Sequence, residues 1–260
     1  MKFPEIIKGA IFDVDDTMLD NQAGAKFGTI HEVTRLRAIH HMAERYNLPS
    51  LAAVTEEENF EAFHNASTHS LDGAVWEILY LKKIVDKKEL DPTNELLKEI
   101  VLFKNEVHVD VLRTLGREVV NASAFMDALA TQFGIEDKMA IASSAIRRDI
   151  TIFLDELTSL RRYFPDKRVI SLEDIPHGLG KPHPEPFSRA FATLGLPDSD
   201  RSNMVAFEDD PRGVISAKKA GLFVCAITTR FAKDHPQLVA AEPDMIIESY
   251  ADAMEKLGRK

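Results

Sequence analysis

Phe12-Asp13-Val14-Asp15-Asp16-Thr17-Met18-Leu19-Asp20 is the stretch on which the reading of this chain turns. The mostly apolar run from Ile6 to Val14 leads into it and closes on Asp13, Asp15 and Asp16. A short apolar run that ends in carboxylates reads as a buried strand of a parallel sheet, with its polar residues at the carboxyl end. In open parallel sheets, ligands bind in the crevice beyond those ends. Alone, Asp-x-Asp at a strand end is ordinary turn or N-cap chemistry. The rest of the chain has to decide.

Working outward, the same pattern recurs. Lys138 to Ala142 runs into Ser143 and Ser144, and Met204 to Phe207 runs into Glu208, Asp209 and Asp210. Arg168 to Ser171, Leu222 to Thr228 and Met245 to Ile247 are further strand candidates. Between them lie helical signals. Asp91-Pro92 with Glu95 predicts an N-cap and a proline at the first helical position, and Gly134 and Gly221 predict helix stops. From Ala23 to about Leu112 the spacing is almost wholly helical, as in Leu36, Ile39, His40 and Ala43, then Val75, Ile78, Leu79 and Lys82. The fold class expected is therefore α/β: a doubly wound parallel-sheet, Rossmann-like core, residues 1–20 and 121–260, with an inserted all-helical domain over 21–120.

Composition agrees with a globular chain. The 260 residues are 45% hydrophobic and carry a formal net charge of −10. That acidic balance argues against nucleic acid or an anionic membrane surface as the main partner. No stretch of about 18 apolar residues predicts a membrane span. Met1 to Ala10 lacks the apolar region of a signal peptide, and Cys225, the single cysteine, cannot form an internal disulfide. A cytoplasmic location is the expectation, and oligomeric state is not legible.

The strand ends gather a constellation. Asp13 and Asp15 come from the first strand, Ser143 from the second, Glu208 and Asp209 from the fourth, and Lys181 from the Gly180-Lys181-Pro182 loop between the third and fourth. Several carboxylates in one place repel one another unless a cation sits among them. Oxygen-only ligands favour a hard cation, most plausibly Mg²⁺. Carboxylates, metal, hydroxyl and ammonium together describe a site for a phosphoryl group.

These residues carry a family resemblance. Phe12 to Asp20 resembles the first motif of the haloacid dehalogenase-like hydrolases. Ile141-Ala142-Ser143-Ser144 resembles the second, Gly180-Lys181-Pro182-His183-Pro184-Glu185-Pro186-Phe187 the third, and Phe207-Glu208-Asp209-Asp210-Pro211-Arg212-Gly213-Val214 the fourth. Order and spacing are similar to the branch with a helical cap after the first motif, which includes phosphoglycolate-phosphatase-like and β-phosphoglucomutase-like enzymes. The resemblance implies Asp13 as the nucleophile that forms an aspartyl-phosphate. It implies Asp15 as the group that protonates the leaving oxygen and then activates water. Thr17 would steady the loop on the phosphate side, where Ser143, Ser144 and Lys181 would hold phosphoryl oxygens. Mg²⁺ would be bound by Asp13, the backbone carbonyl of Asp15, Asp209 and Glu208, the last directly or through water. Asp16 stands where many relatives have Gly, Asp210 where Ser is frequent, and Asn121-Ala122-Ser123 where a Pro-Gly turn is usual.

The expected activity is Mg²⁺-dependent hydrolysis of a small phosphate monoester. Asp15 argues against the dehalogenase reaction that names the superfamily. Within the superfamily, a phosphomutase would need a cap arginine and a phosphonate hydrolase a cap lysine, yet Asn47 to Leu81 contains neither residue type. From another class, a phosphorylated signalling receiver shares the acids, hydroxyl and lysine but is shorter and places its Asp later. His64, Asn65, Ser67, Thr68 and His69 form a polar loop in the helical insertion, either an ordinary loop or one that touches substrate. Without a cation in Asn47 to Leu81, the remainder of the substrate is expected to be neutral and hydroxyl-bearing, such as a sugar or polyol phosphate, with His64 or His69 as hydrogen-bonding partners.

Overall fold

The structure is a computed structural model, and it describes residues 3–22, 28–66, 68 and 70–258. Two compact units emerge, Met1–Asp20 with Arg117–Lys260, and Asn21–Gly116.

The first unit is built on a six-stranded sheet. Its strands are β1 (Gly9–Phe12), β4 (Met139–Ala142), β5 (Val169–Ile170), β6 (Met204–Glu208), β7 (Phe223–Ile227) and β8 (Met245–Ile247). A separate two-stranded ladder pairs β2 (Leu19–Asp20) with β3 (Arg117–Glu118) antiparallel. In the sheet the order is β5-β4-β1-β6-β7-β8, and every pairing is parallel. The chain steps from β1 to β4 and β5 on one side, then returns to lay β6, β7 and β8 on the other. The order thus reverses at β1 and β6, the switch point where ligand crevices form in such sheets.

Burial on both faces explains why these strands are near-continuous apolar runs. Successive residues alternate sides. Ile11 packs into a layer with Phe187, Phe191, Val214 and Leu238, which lie on helices Glu185–Ala192, Pro211–Lys219 and Pro236–Ala240. Phe12 turns the other way and stacks on Phe207, centroids 4.7 Å apart, within an aromatic cluster completed by Phe125 and Tyr250. β1 begins only at Gly9, later than the apolar run; Ile6 is 59% exposed and lies outside the sheet. Gly134 and Gly221, with φ of 65° and 81°, stop their helices as expected.

The second unit contains helices Ile30–Arg45, Pro49–Ala52, Glu56–Asn65, Leu71–Leu81 and Glu95–Leu115 around a core that includes Ile39, Ala43, Val75, Ile78, Leu79 and Ile100. Thr29 and Thr55 start two of these helices with capping boxes. Two details depart from the sequence expectation. The last helix starts at Glu95 under Asn94, not at Pro92, because the Asp91 carboxylate is taken up by the Thr93 amide and hydroxyl at 2.9 and 2.6 Å in the preceding turn. The unit ends at Gly116 rather than 120, because Arg117 and Glu118 pair with Asp20 and Leu19. Among the described residues, no helix is long and apolar enough to cross a membrane.

Candidate active site

Register brings the site together. Phe12 lies opposite Ile141 on one side and Phe207 on the other. One residue further along each strand, Asp13, Ala142 and Glu208 therefore stand level, with Ser143 and Asp209 just beyond. Asp13 is held there by its amide, which donates to the Phe207 carbonyl at 3.0 Å.

The loop after β1 folds back at once. The Val14 carbonyl accepts from the amides of Met18 and Leu19, both at 2.8 Å, and the Asp16 amide donates to the Leu19 carbonyl at 2.7 Å. Asp16 has φ of 55°, in the left-handed region that Gly, Asn and Asp tolerate best. That accounts for Asp at a position where many relatives have Gly. The Thr17 hydroxyl donates to Asp209 Oδ1 at 3.1 Å, and its carbonyl accepts from the Tyr250 hydroxyl at 3.0 Å. Thr17 is fully buried and fastens this loop to β6.

Asp13, Glu208 and Asp209 are buried, and one carboxylate oxygen from each lies within 4.8 Å of the others. Lys181 enters the cluster, donating to Asp13 Oδ1 at 2.5 Å and to Glu208 Oε1. Its ammonium also lies 5.1 Å from the Phe187 ring centroid. Glu208 Oε2 accepts from the amides of Asp209 and Asp210, both at 3.0 Å, so both of its oxygens have protein partners. Burial, then Glu208, Asp13 and Asp16, hold the Asp209 carboxyl well above the usual range. Burial also lifts Asp13; Lys181 pulls it down, Glu208 and Asp15 push it up, and the outcome is well above the ordinary value. Burial likewise leaves Glu208 raised despite Lys181. Burial disfavours the Lys181 ammonium, but Asp13 and Glu208 together outweigh it, and its pKa rises.

Among the described residues, one ammonium against three clustered carboxylates leaves negative charge uncompensated in a buried place. A hard divalent cation on oxygen donors would relieve it, so the donor set fits Mg²⁺. Asp13, Glu208 and Asp209 are the side chains that would hold it. The Asp15 side chain is not among that group and is half-buried.

The remaining sequence candidates fall as follows. Ser143 is buried; its amide donates to the Ile170 carbonyl at 2.9 Å, and its hydroxyl accepts from the Ala145 amide at 3.1 Å. It is not a helix N-cap, since the next helix begins at Arg147 after Ile146. Ser144 is exposed. The His64 side chain, Ser67 and His69 lie outside the described residues. Cys225 is buried in β7, and burial pushes its thiol up, away from nucleophilic use. Sequence reasoning gave no role to Gly213, Arg212 or Arg230. Gly213 was visible in the fourth motif, but its closeness to Glu208 was not. An arginine in a loop has no periodicity to mark it.

The model of the haloacid dehalogenase-like hydrolase family matches residues 7–221. The chain is 29% identical over 171 residues to the pyrophosphatase PpaX of Anoxybacillus flavithermus, an alignment that spans 65% of this chain and 72% of that one. It is 36% identical over 104 residues to glycerol-1-phosphate phosphohydrolase 1 of Saccharomyces cerevisiae, spanning 38% of this chain and 39% of the yeast protein. The crystal structure of a family IA, variant 3 hydrolase from Entamoeba histolytica superposes with a TM-score of 0.70 at 17% identity, covering 97% of this chain and 98% of that one, and so shares the fold. With the match running from the strand that bears Asp13 through the helix that follows Asp209, the chain belongs to the haloacid dehalogenase-like hydrolases.

Proposed function

We propose that this hydrolase is a Mg²⁺-dependent phosphatase that cleaves a small phosphate ester through an aspartyl-phosphate on Asp13. The observation that carries the reading is the convergence of Asp13, Glu208, Asp209 and Lys181 at the switch point of the sheet. The names of the relatives, a pyrophosphatase and a glycerol-1-phosphate phosphohydrolase, support it.

Asp13 attacks phosphorus, and the bond to the leaving oxygen breaks. Asp15 gives that oxygen a proton, then takes one from the water that cleaves the acyl phosphate and frees Asp13. Lys181 and Ser143 hold the phosphoryl oxygens, and Lys181 keeps Asp13 in place between turnovers. Bound Mg²⁺ would supply charge neutralisation at the phosphoryl group. The helical unit Asn21–Gly116 would serve as the cap that selects the remainder of the substrate, a small phosphorylated metabolite.

Release of phosphate from p-nitrophenyl phosphate by purified protein, with Mg²⁺ and with chelator, tests the reading. Turnover should require Mg²⁺ and be abolished in Asp13→Asn, whose amide is a poor nucleophile. Wild-type rates in Asp13→Asn, or full activity in excess chelator, would refute it.

A further inference from the structure

Two guanidiniums converge on one carboxylate beside the acidic centre. Asp210 caps helix Pro211–Lys219 and accepts from the Arg212 amide at 2.8 Å. Arg212 also spends its side chain there, with Nε on Oδ1 and Nη2 on Oδ2, both at 3.2 Å. Arg230, in the loop after β7, reaches Oδ2 with Nη1 alone, at 3.4 Å. Arg212 has already committed its fork to Asp210, and the spare donors belong to Arg230. Its Nε and Nη2 have no hydrogen-bond partner among the described residues, and its side chain is 37% exposed.

The backbone that carries this side chain is tied to the core of the α/β unit. Thr229, the residue before it, donates its hydroxyl to the Asp16 carbonyl, inside the loop that carries Asp13 and Asp15. The Thr228 amide donates to the Ile247 carbonyl at 3.0 Å, and the Arg230 guanidinium lies 5.3 Å from the Phe231 ring centroid. Its positive charge reaches both Asp209 and Asp210. A partly exposed guanidinium with unused planar donors matches a phosphate or carboxylate better than any neutral group. The acidic centre would repel a second anion on the substrate, and Arg230 offsets that repulsion at its edge.

The geometry points to Arg230 as the specificity-determining residue that holds a second anionic group, so that the substrates are phosphate esters or anhydrides bearing a further phosphate or carboxylate. This rests on the phosphatase reading above and names its substrate class. It differs from the neutral, hydroxyl-bearing remainder expected from segment Asn47 to Leu81, a span that lies outside the unit carrying Arg230.

The experiment compares inorganic pyrophosphate and phosphoglycolate, which carry a second anion, with glycerol 1-phosphate and p-nitrophenyl phosphate, which do not. Wild-type protein should favour the first pair in kcat/KM. Arg230→Gln should lose about ten-fold on that pair, mostly in KM, as expected for one charge-assisted hydrogen bond. On p-nitrophenyl phosphate it should change by less than about two-fold. Arg230→Lys should retain part of the preference. Equal losses on all four substrates would make Arg230 structural and overturn the inference, as would a wild-type preference for glycerol 1-phosphate. Absence of phosphate release from all four by the wild type would instead refute the phosphatase reading itself.

Discussion

No side chain fits between Gly213 and Glu208. A β-carbon on Gly213 would stand 1.8 Å from Glu208 Oε1 and 2.0 Å from its carboxyl carbon. The end of a glutamate can usually swing aside, but this one is fastened to Lys181 and to the amides of Asp209 and Asp210. Displacing it breaks hydrogen bonds to a charged group, each contributing about 1.5–3 kcal/mol. Gly213→Ala should therefore lose at least about 2 kcal/mol of stability in chemical denaturation. It should also weaken Mg²⁺ binding in calorimetry. A Gly213→Ala protein matching the wild type in both would show that Glu208 is free to move.

Lys181 is the only ammonium seen among the three clustered carboxylates in the described residues. Removing one partner of a buried ion pair costs about 3–5 kcal/mol, because the other charge is left without compensation. Metal-free Lys181→Met should fall by that order, and saturating Mg²⁺ should restore part of the loss by occupying the same negative field. Thermal melts with and without Mg²⁺ check both statements. An unchanged metal-free melting temperature would mean that the carboxylates are already protonated and do not need the lysine.

The sheet and the centre of the site were legible for one reason. Buried parallel strands are apolar throughout, so Lys138 to Ala142 and Met204 to Phe207 announce both the strand and the polar residues at its end. Where a residue's role depends on a particular neighbour across the fold, the sequence is silent. Glu208 reads as one more acid, yet its two oxygens are occupied by Lys181 and by two amides, an arrangement permitted only by the bare backbone of Gly213. Asp91 reads as a cap because it precedes Pro92, but Thr93 captures it locally and Asn94 caps instead. Arg230 reads as a loop cation, and only the fold reveals that it shares Asp210 with Arg212.

Asp209 and Asp210 are adjacent in sequence and opposite in circumstance. Burial and then Glu208, Asp13 and Asp16 push Asp209 well up, so its charge is a burden to the metal-free fold. Burial would raise Asp210 too, but Arg212 and Arg230 overcome it and hold the carboxyl below its ordinary value. Asp209→Asn keeps an oxygen for the Thr17 hydroxyl and removes the burdened charge. Metal-free, it should melt no lower than the wild type, and its Mg²⁺-induced rise in melting temperature should vanish. Asp210→Asn should keep that rise. A full Mg²⁺ response in Asp209→Asn would remove Asp209 from the metal-holding set.

The helical unit offers a test independent of the site. Glu32 closes the capping box of helix Ile30–Arg45, accepting from the Thr29 amide at 2.8 Å and from the Thr29 hydroxyl, with Arg35 3.8 Å away. Burial alone would raise its pKa, but the two Thr29 bonds and Arg35 outweigh burial and hold it below the ordinary glutamate value of 4.5. A depressed folded-state pKa means that the unfolded chain binds the proton first as pH falls. The stabilisation from Glu32 is therefore complete above 4.5 and is lost as pH drops through the folded-state value. Glu32→Ala should cost about 1 kcal/mol at neutral pH, the usual loss of a cap. The gap to the wild type should narrow as pH falls below 4.5 and through the folded-state value, where the wild-type carboxylate loses its own charge. Trp76 is the chain's single tryptophan and lies buried in helix Leu71–Leu81, so its fluorescence during denaturation follows this unit. A difference between the two proteins that stays constant from neutral to acid pH would show that the Glu32 carboxylate contributes packing and no charge.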